Sequence, residues 1–178
     1  PNAVFKATDN ASGTLTNLGS GMKFRIDEGS WIDIDDEERT IDGLEACTIK
    51  VVKKGGDTTL DSDEQIIEVT KAATPNLAVM QPVEGRDKGS IETTEAYEIR
   101  KDGESSYTDC TAGTTSLEPG TYYIRVKASG TELASEEQKI VINDPAEYTI
   151  TFDANGGYFN NTSDTEKTSK LTSGQTIT

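Results

Sequence analysis

"LEPGTYYIRVKASGTELASEEQKIVI", Leu117–Ile142, decides how the chain is to be read, because "LEACTIKVVKKGGDTTLDSDEQIIEV", Leu44–Val69, has already said nearly the same thing. In the later copy Tyr122, Ile124, Val126 and Ala128 alternate with Tyr123, Arg125, Lys127 and Ser129. That is the period of two expected of a strand with one face in the core and one in water. In register, Ile49 falls on Ile124, Lys50 on Arg125 and Val51 on Val126. A slip of a residue or two at the glycines then sets Leu60 on Leu133, Ser62 on Ser135, Glu64 on Glu137, Gln65 on Gln138 and Ile67 on Ile140. The match runs backwards as well: Met22–Asp33 pairs with Tyr97–Asp109, placing Arg25 on Arg100, Asp27 on Asp102, Trp31 on Tyr107 and Asp33 on Asp109. Self-similarity at a fixed period marks an array of like units. Two homologous modules are expected, over 1–73 and 74–146, followed by a different segment over 147–178.

Strand signals fill both modules. "MKFRI" (22–26), "WIDI" (31–34), "CTIKVVK" (47–53) and "QIIEV" (65–69) in the first answer to Leu77–Met80, "AYEIR" (96–100), "TYYIRVKAS" (121–129) and "QKIVI" (138–142) in the second. Between them stand "DEGS", "IDGLEA", "KKGGD", "KDGES", "EPGT" and "SGTE", where Pro presets φ and Gly supplies positive φ. Short strands with turns every eight to twelve residues or so describe a β-sandwich, and no amphipathic helix is expected. The fold class is all-β, with two tandem immunoglobulin-like β-sandwiches and a partial C-terminal unit.

"LEPGTYYIRVKA" resembles the strand-F region of fibronectin type III and related bacterial immunoglobulin-like domains, in which a Leu, a Pro-Gly-Thr turn and a Tyr lead into an alternating strand. Here the inward set starts at Tyr122. With "DG…YTDC" ahead of it, the arrangement over 89–142 looks most like repeat modules of large extracellular proteins of Firmicutes. After Pro145, "YTITFDANGGYF" (148–159) is similar to the opening of the Listeria–Bacteroides repeat, the internalin B-repeat type. That resemblance implies a small β-grasp-like unit, of which the chain holds about half. Tyr148, Ile150 and Phe152 are then the inward side of a strand, Asn155-Gly156-Gly157 is a turn, and 158–169 is expected as a polar loop.

Composition limits what such a chain can do. It carries 17 Lys and Arg against 32 Asp and Glu, a net charge of −15. Each of the three segments is acidic taken alone, so no hidden basic patch exists for nucleic acid, which needs cations to displace phosphate counterions. An anionic membrane surface is as poor a partner, and no apolar run reaches the length of a membrane span. The opening on Pro1 is taken as the start of an excised piece of a longer protein. With 33% hydrophobic and 6% aromatic residues, modules of this size have thin cores, and a large buried active site is not expected. Cys47, set on Tyr122, and Cys110, set on Ile34, are expected as free thiols rather than a disulfide.

The search for chemistry returns little. The sequence has no histidine, which removes histidine general bases, Ser-His-Asp triads and histidine metal sites. No phosphate-loop pattern occurs. "DIDDEER" gathers Asp33, Asp35, Asp36, Glu37 and Glu38 without the spacing of a calcium loop and reads as a solvated turn. No cofactor or metal is expected, and no catalytic residue is assigned. The candidates for recognition are aromatic: Trp31, Tyr107 and Tyr123, with Arg125 beside the last, as a stacking platform for sugars or, alternatively, as packing. The expected role is that of a non-catalytic, monomeric spacer or adhesion segment of a secreted or cell-wall-attached bacterial protein. It would build an extended rod and meet cell-wall glycans, host glycans or a host surface protein. The alternative is a carbohydrate-binding accessory module of a secreted polysaccharide-degrading enzyme.

Overall fold

A computed structural model describes residues 1–8, 11–35, 39–83, 86–159 and 163–172. The protein is all-β, and no helix occurs among the described residues. The first strands are β1 (Val4–Ala7), β2 (Gly13–Leu18), β3 (Met22–Ile26), β4 (Ile32–Ile34), β5 (Arg39–Leu44), β6 (Cys47–Lys53) and β7 (Gln65–Lys71). They are followed by β8 (Val79–Met80), β9 (Gly89–Thr93), β10 (Tyr97–Lys101), β11 (Thr108–Asp109), β12 (Gly113–Leu117), β13 (Gly120–Val126), β14 (Glu132–Leu133) and β15 (Gln138–Ile142). A closing pair, β16 (Glu147–Asp153) and β17 (Glu166–Thr172), ends the chain's described structure.

The same strand order occurs twice. A three-stranded sheet β1-β2-β5 and a four-stranded run β4-β3-β6-β7 are matched by β8-β9-β12 and β11-β10-β13-β15. By contact the chain divides into two compact units. One is Pro1–Asn76 with Ala96–Glu98 and Ile124–Gln138; the other is Leu77–Glu95 with Ile99–Tyr123 and Lys139–Thr178.

In the first unit Phe5, Leu15 and Leu44 from the three-stranded sheet join Phe24, Ile49 and Val51 from the other sheet in one core, which makes the pair of sheets a sandwich. Leu133 belongs to this core too. Its strand β14 adds to β7 in parallel, so that the four-stranded run becomes five, β14-β7-β6-β3-β4. In the second unit Ile91, Leu117, Tyr122 and Ile142 are buried. Both three-stranded sheets need glycine at one place: a Cβ on Gly13 would meet the Phe5 ring at 2.2 Å, and a Cβ on Gly89 would meet Ile142 at 2.7 Å.

The structure corrects the register of the repeat. Asp27 N donates to Thr48 O at 2.7 Å and Asp102 N to Thr121 O at 2.9 Å; Lys54 N donates to Gly21 O at 2.7 Å and Lys127 N to Ala96 O at 2.8 Å. With Asp27 on Asp102, these ties set Thr48 on Thr121 and Lys54 on Lys127. Ile124 therefore matches Val51, not Ile49, and Tyr122 matches Ile49, not Cys47, which falls on Gly120. From Leu44 on Leu117 to Val69 on Ile142 the two stretches align without a gap. A shift of two residues leaves every side chain on its original face, so alternation alone could not tell the two registers apart.

Tyr122, near the start of β13, donates from its hydroxyl to the Glu118 carbonyl at 3.0 Å, a bond of the same form as the tyrosine corner found in immunoglobulin-type sandwiches. Ile49 in the first unit has no such group. Tyr122→Phe is expected to cost about 1 kcal/mol of stability, read from the midpoint of a urea titration followed by far-ultraviolet circular dichroism.

The closing pair is an antiparallel hairpin registered from Glu147 on Thr172 to Asp153 on Glu166. Just after β16, Asn155 (φ 49°) and Gly156 (φ 89°) make a turn closed by Gly157 N donating to Ala154 O at 3.0 Å, with Asn155 N donating to Asp153 Oδ1 at 2.8 Å. Two expectations are overturned here. Residues 166–169 are strand rather than loop, since each pairs across the ladder with a residue from Ile150 to Asp153, and tertiary pairing overrides weak strand propensity. Tyr148 and Phe152 are 57% and 37% exposed rather than inward, because among the described residues the ribbon is two-stranded and has no second layer over its apolar face.

Candidate functional site

The aromatic candidates lie on or beside the four-stranded runs, and each is covered by a cation. In the first unit β3 alternates Lys23 and Arg25 with the buried Phe24, and the turn after it delivers Trp31. The Lys23 ammonium stands 5.2 Å and the Arg25 guanidinium 5.0 Å from the indole centroid, both within cation–π range. Carboxylates hold these cations in place. Lys23 reaches Asp61 at 2.6 Å, and Arg25 reaches Glu28 at 3.5 Å and Glu64 at 3.6 Å. Arg25 Nε is buried without a hydrogen-bond acceptor.

The second unit repeats the arrangement with different aromatics. Arg100, the counterpart of Arg25, lies 5.5 Å from the Tyr107 ring and 4.4 Å from the Tyr123 ring. Its Nε donates to the Tyr107 hydroxyl at 3.2 Å and its Nη1 to the Glu104 carbonyl at 3.3 Å. Tyr107 and Tyr123 are thus brought together, with a guanidinium on both rings, and both are half-buried. Arg125 is engaged elsewhere: its Nε donates to Glu98 Oε1 at 2.6 Å, and the two side chains are only 14% and 13% exposed. Sequence reasoning named these aromatics but not Arg25, Arg100 or Glu98, which the structure places beside them and beside Arg125. The signal was present in the alignment of Arg25 with Arg100, next to that of Trp31 with Tyr107.

Such contacts tie neighbouring strands and turns of each unit together. A cation stands within cation–π range of each of these rings. Ion pairing perturbs a few exposed groups. The Asp61 carboxyl is held below its ordinary range, first by its hydrogen bond to Lys23 and then by the Gly55 amide. Glu136 is lowered by Lys71, and Lys88 is raised by Glu118. Burial, with Asp27 and Glu68 nearby, pushes the Cys47 thiol up, so it is a poor nucleophile at neutral pH. Cys47 and Cys110 are not joined in a disulfide.

Among the described residues no group of three or more His, Cys, Asp or Glu is placed to hold a metal. Of the acidic run, Asp36, Glu37 and Glu38 lie outside the described residues; Asp33 pairs with Lys54 at 3.2 Å. Shallow depressions occur among the described residues. One of about 320 Å³ is bordered by Arg86, Lys88, Ser90 and Thr114, and another of about 290 Å³ by Lys6, Thr8 and Thr14. No helix among the described residues is long and apolar enough to cross a membrane. No protein-family model matches the sequence, and no curated protein matches it.

Proposed function

We propose that the chain is a non-catalytic spacer or adhesion segment of a secreted or cell-surface bacterial protein. In this reading two tandem fibronectin type III-like repeats precede the start of a Listeria–Bacteroides-type unit. The observation that carries it is the engagement of the recognition residues with one another: Arg25 with Trp31, Arg100 with Tyr107 and Tyr123, Glu98 with Arg125. The polar outer faces of the sheets serve the sandwiches themselves. The three-and-four division of strands, met twice, supports a repeated module whose copy number sets length. The acidic surface keeps such modules soluble and apart.

A carbohydrate-binding accessory module is the second reading, and one observation favours it. Tyr148 and Phe152 share a face of β16 and are open to solvent, as stacking aromatics would be. A glycan array holding cell-wall and mucin sugars separates the readings. The spacer predicts no binding at high protein concentration. Binding that Tyr148→Ala abolishes moves the function to the hairpin, whereas binding that Tyr123→Ala abolishes means Arg100 yields its place to a sugar, and either result ends the spacer proposal.

A further inference from the structure

The loop ahead of β7 and the loop ahead of β15 are held by the same bonds. Ser62 N donates to Lys53 O at 2.9 Å, and Ser135 N to Val126 O at 3.1 Å. Ser62 Oγ accepts from Lys53 N at 2.9 Å, and Ser135 Oγ from Val126 N at 2.9 Å. Each hydroxyl then donates to the next residue's carbonyl, Asp63 at 3.0 Å and Glu136 at 2.7 Å. At the tips Thr59 N donates to Gly56 O at 3.2 Å and Glu132 N to Ser129 O at 2.9 Å. In this register Leu60 is the counterpart of Leu133. Their surroundings are opposite: Leu133 is 1% exposed and Leu60 is 95% exposed.

Leu133 shows what the position does. Within the first unit its strand lies parallel to Thr70–Lys71. Thr70 N donates to Thr131 O at 3.1 Å and Ala72 N to Leu133 O at 3.0 Å. The side chain enters the sandwich core, and Glu136 pairs with Lys71. Strand addition of this kind draws affinity from backbone hydrogen bonds and selectivity from the seated side chain.

We propose that the loop around Leu60 is a second plug of this type, and that its receptor is the β7 edge of another sandwich of the first repeat's kind. The loop keeps the needed parts: Leu60 for the core, the Thr58 carbonyl in the place of Thr131, and Asp63 in the place of Glu136. Among the described residues neither repeat offers an open receptor for it. The first repeat's edge already holds Leu133. In the second repeat Asn143, Asp144 and Pro145 stand where Thr70, Lys71 and Ala72 do. Asn143 N already donates to Gln81 Oε1 at 2.9 Å, Asp144 repels Asp63 where Lys71 would attract it, and Pro145 has no N–H to give. The partner is therefore a like module outside this chain, with free amides at the Thr70 and Ala72 positions and a cation between them. This inference rests on the paired loop geometry and does not depend on the spacer role.

The test extends the chain by a second copy of residues 1–74 placed ahead of Pro1, which preserves the spacing from Ala72 to the next opening strand. In the added copy the Thr70 and Ala72 amides are expected to exchange with solvent at least about tenfold more slowly than the same amides once Leu60→Ser is introduced into the following module. Equal exchange with Leu60 and with Ser overturns the proposal. A second measurement covers misfolding of the added copy. Leu133→Ser in the chain as it stands frees the first receptor, and sedimentation should then show concentration-dependent association that Leu60→Ser removes. Sedimentation unchanged by Leu60→Ser overturns the proposal equally.

Discussion

Leu133→Ala should lower the stability of the first unit by about 2–5 kcal/mol, the range for truncating a fully buried leucine. By sequence the residue lies in the second module, some sixty positions beyond β7. Its side chain is 1% exposed within a core that includes Phe5, Leu15 and Val69. Truncation leaves a cavity there and weakens the seat of β14, whose carbonyls at Thr131 and Leu133 accept from Thr70 and Ala72. Trp31, the only tryptophan, reports this unit, so urea unfolding followed by its emission gives the number. Leu60→Ala, at 95% exposure, should shift the same curve by less than about 0.5 kcal/mol. Equal effects of the two substitutions would mean that β14 is not part of the first unit's cooperative core.

Glu98→Ala should cost about 1–3 kcal/mol, less than the loss for a fully buried pair because both partners retain some exposure. The substitution removes a carboxylate 2.6 Å from Arg125 Nε and leaves a guanidinium that is only 14% exposed. The double variant Glu98→Leu with Arg125→Met should recover most of that loss, since an apolar pair of similar volume replaces a charged pair whose desolvation offsets its attraction. A double-mutant cycle in urea measures the coupling. A neutral Glu98→Ala would show Arg125 to be independent of its partner, and the case for Arg125 as a ligand-binding residue would reopen.

The all-β class was legible because Phe24, Ile49, Val51, Ile67 and Ile124 sit at alternate positions among polar neighbours, and the strands of the four-stranded runs followed from that. The three-stranded sheets were harder. β2 reads Gly-Thr-Leu-Thr-Asn-Leu and β12 reads Gly-Thr-Thr-Ser-Leu, so glycine, threonine and asparagine give the signal of a turn while tertiary pairing makes a strand of it. The two-residue error in register had the symmetry of the pleat behind it; only backbone bonds such as Lys54 N to Gly21 O distinguish the alternatives. At the candidate site, aligned aromatics were visible, but whether a ring faces water depends on side chains from neighbouring strands. Nothing in the spacing of Arg100 and Tyr123 announces a guanidinium 4.4 Å from the ring.

The seat of Leu133 also bears on the order in which the molecule is made. A chain leaving the ribosome presents β1 to β7 first, yet the edge of β7 and the core behind it wait for a leucine synthesised some sixty residues later. At about 5–20 residues per second that interval is roughly 3–12 seconds, during which an unpaired strand edge stands open. The first sandwich is thus translated early and completed late, and its protection from wrong partners in the meantime falls to the charges around it.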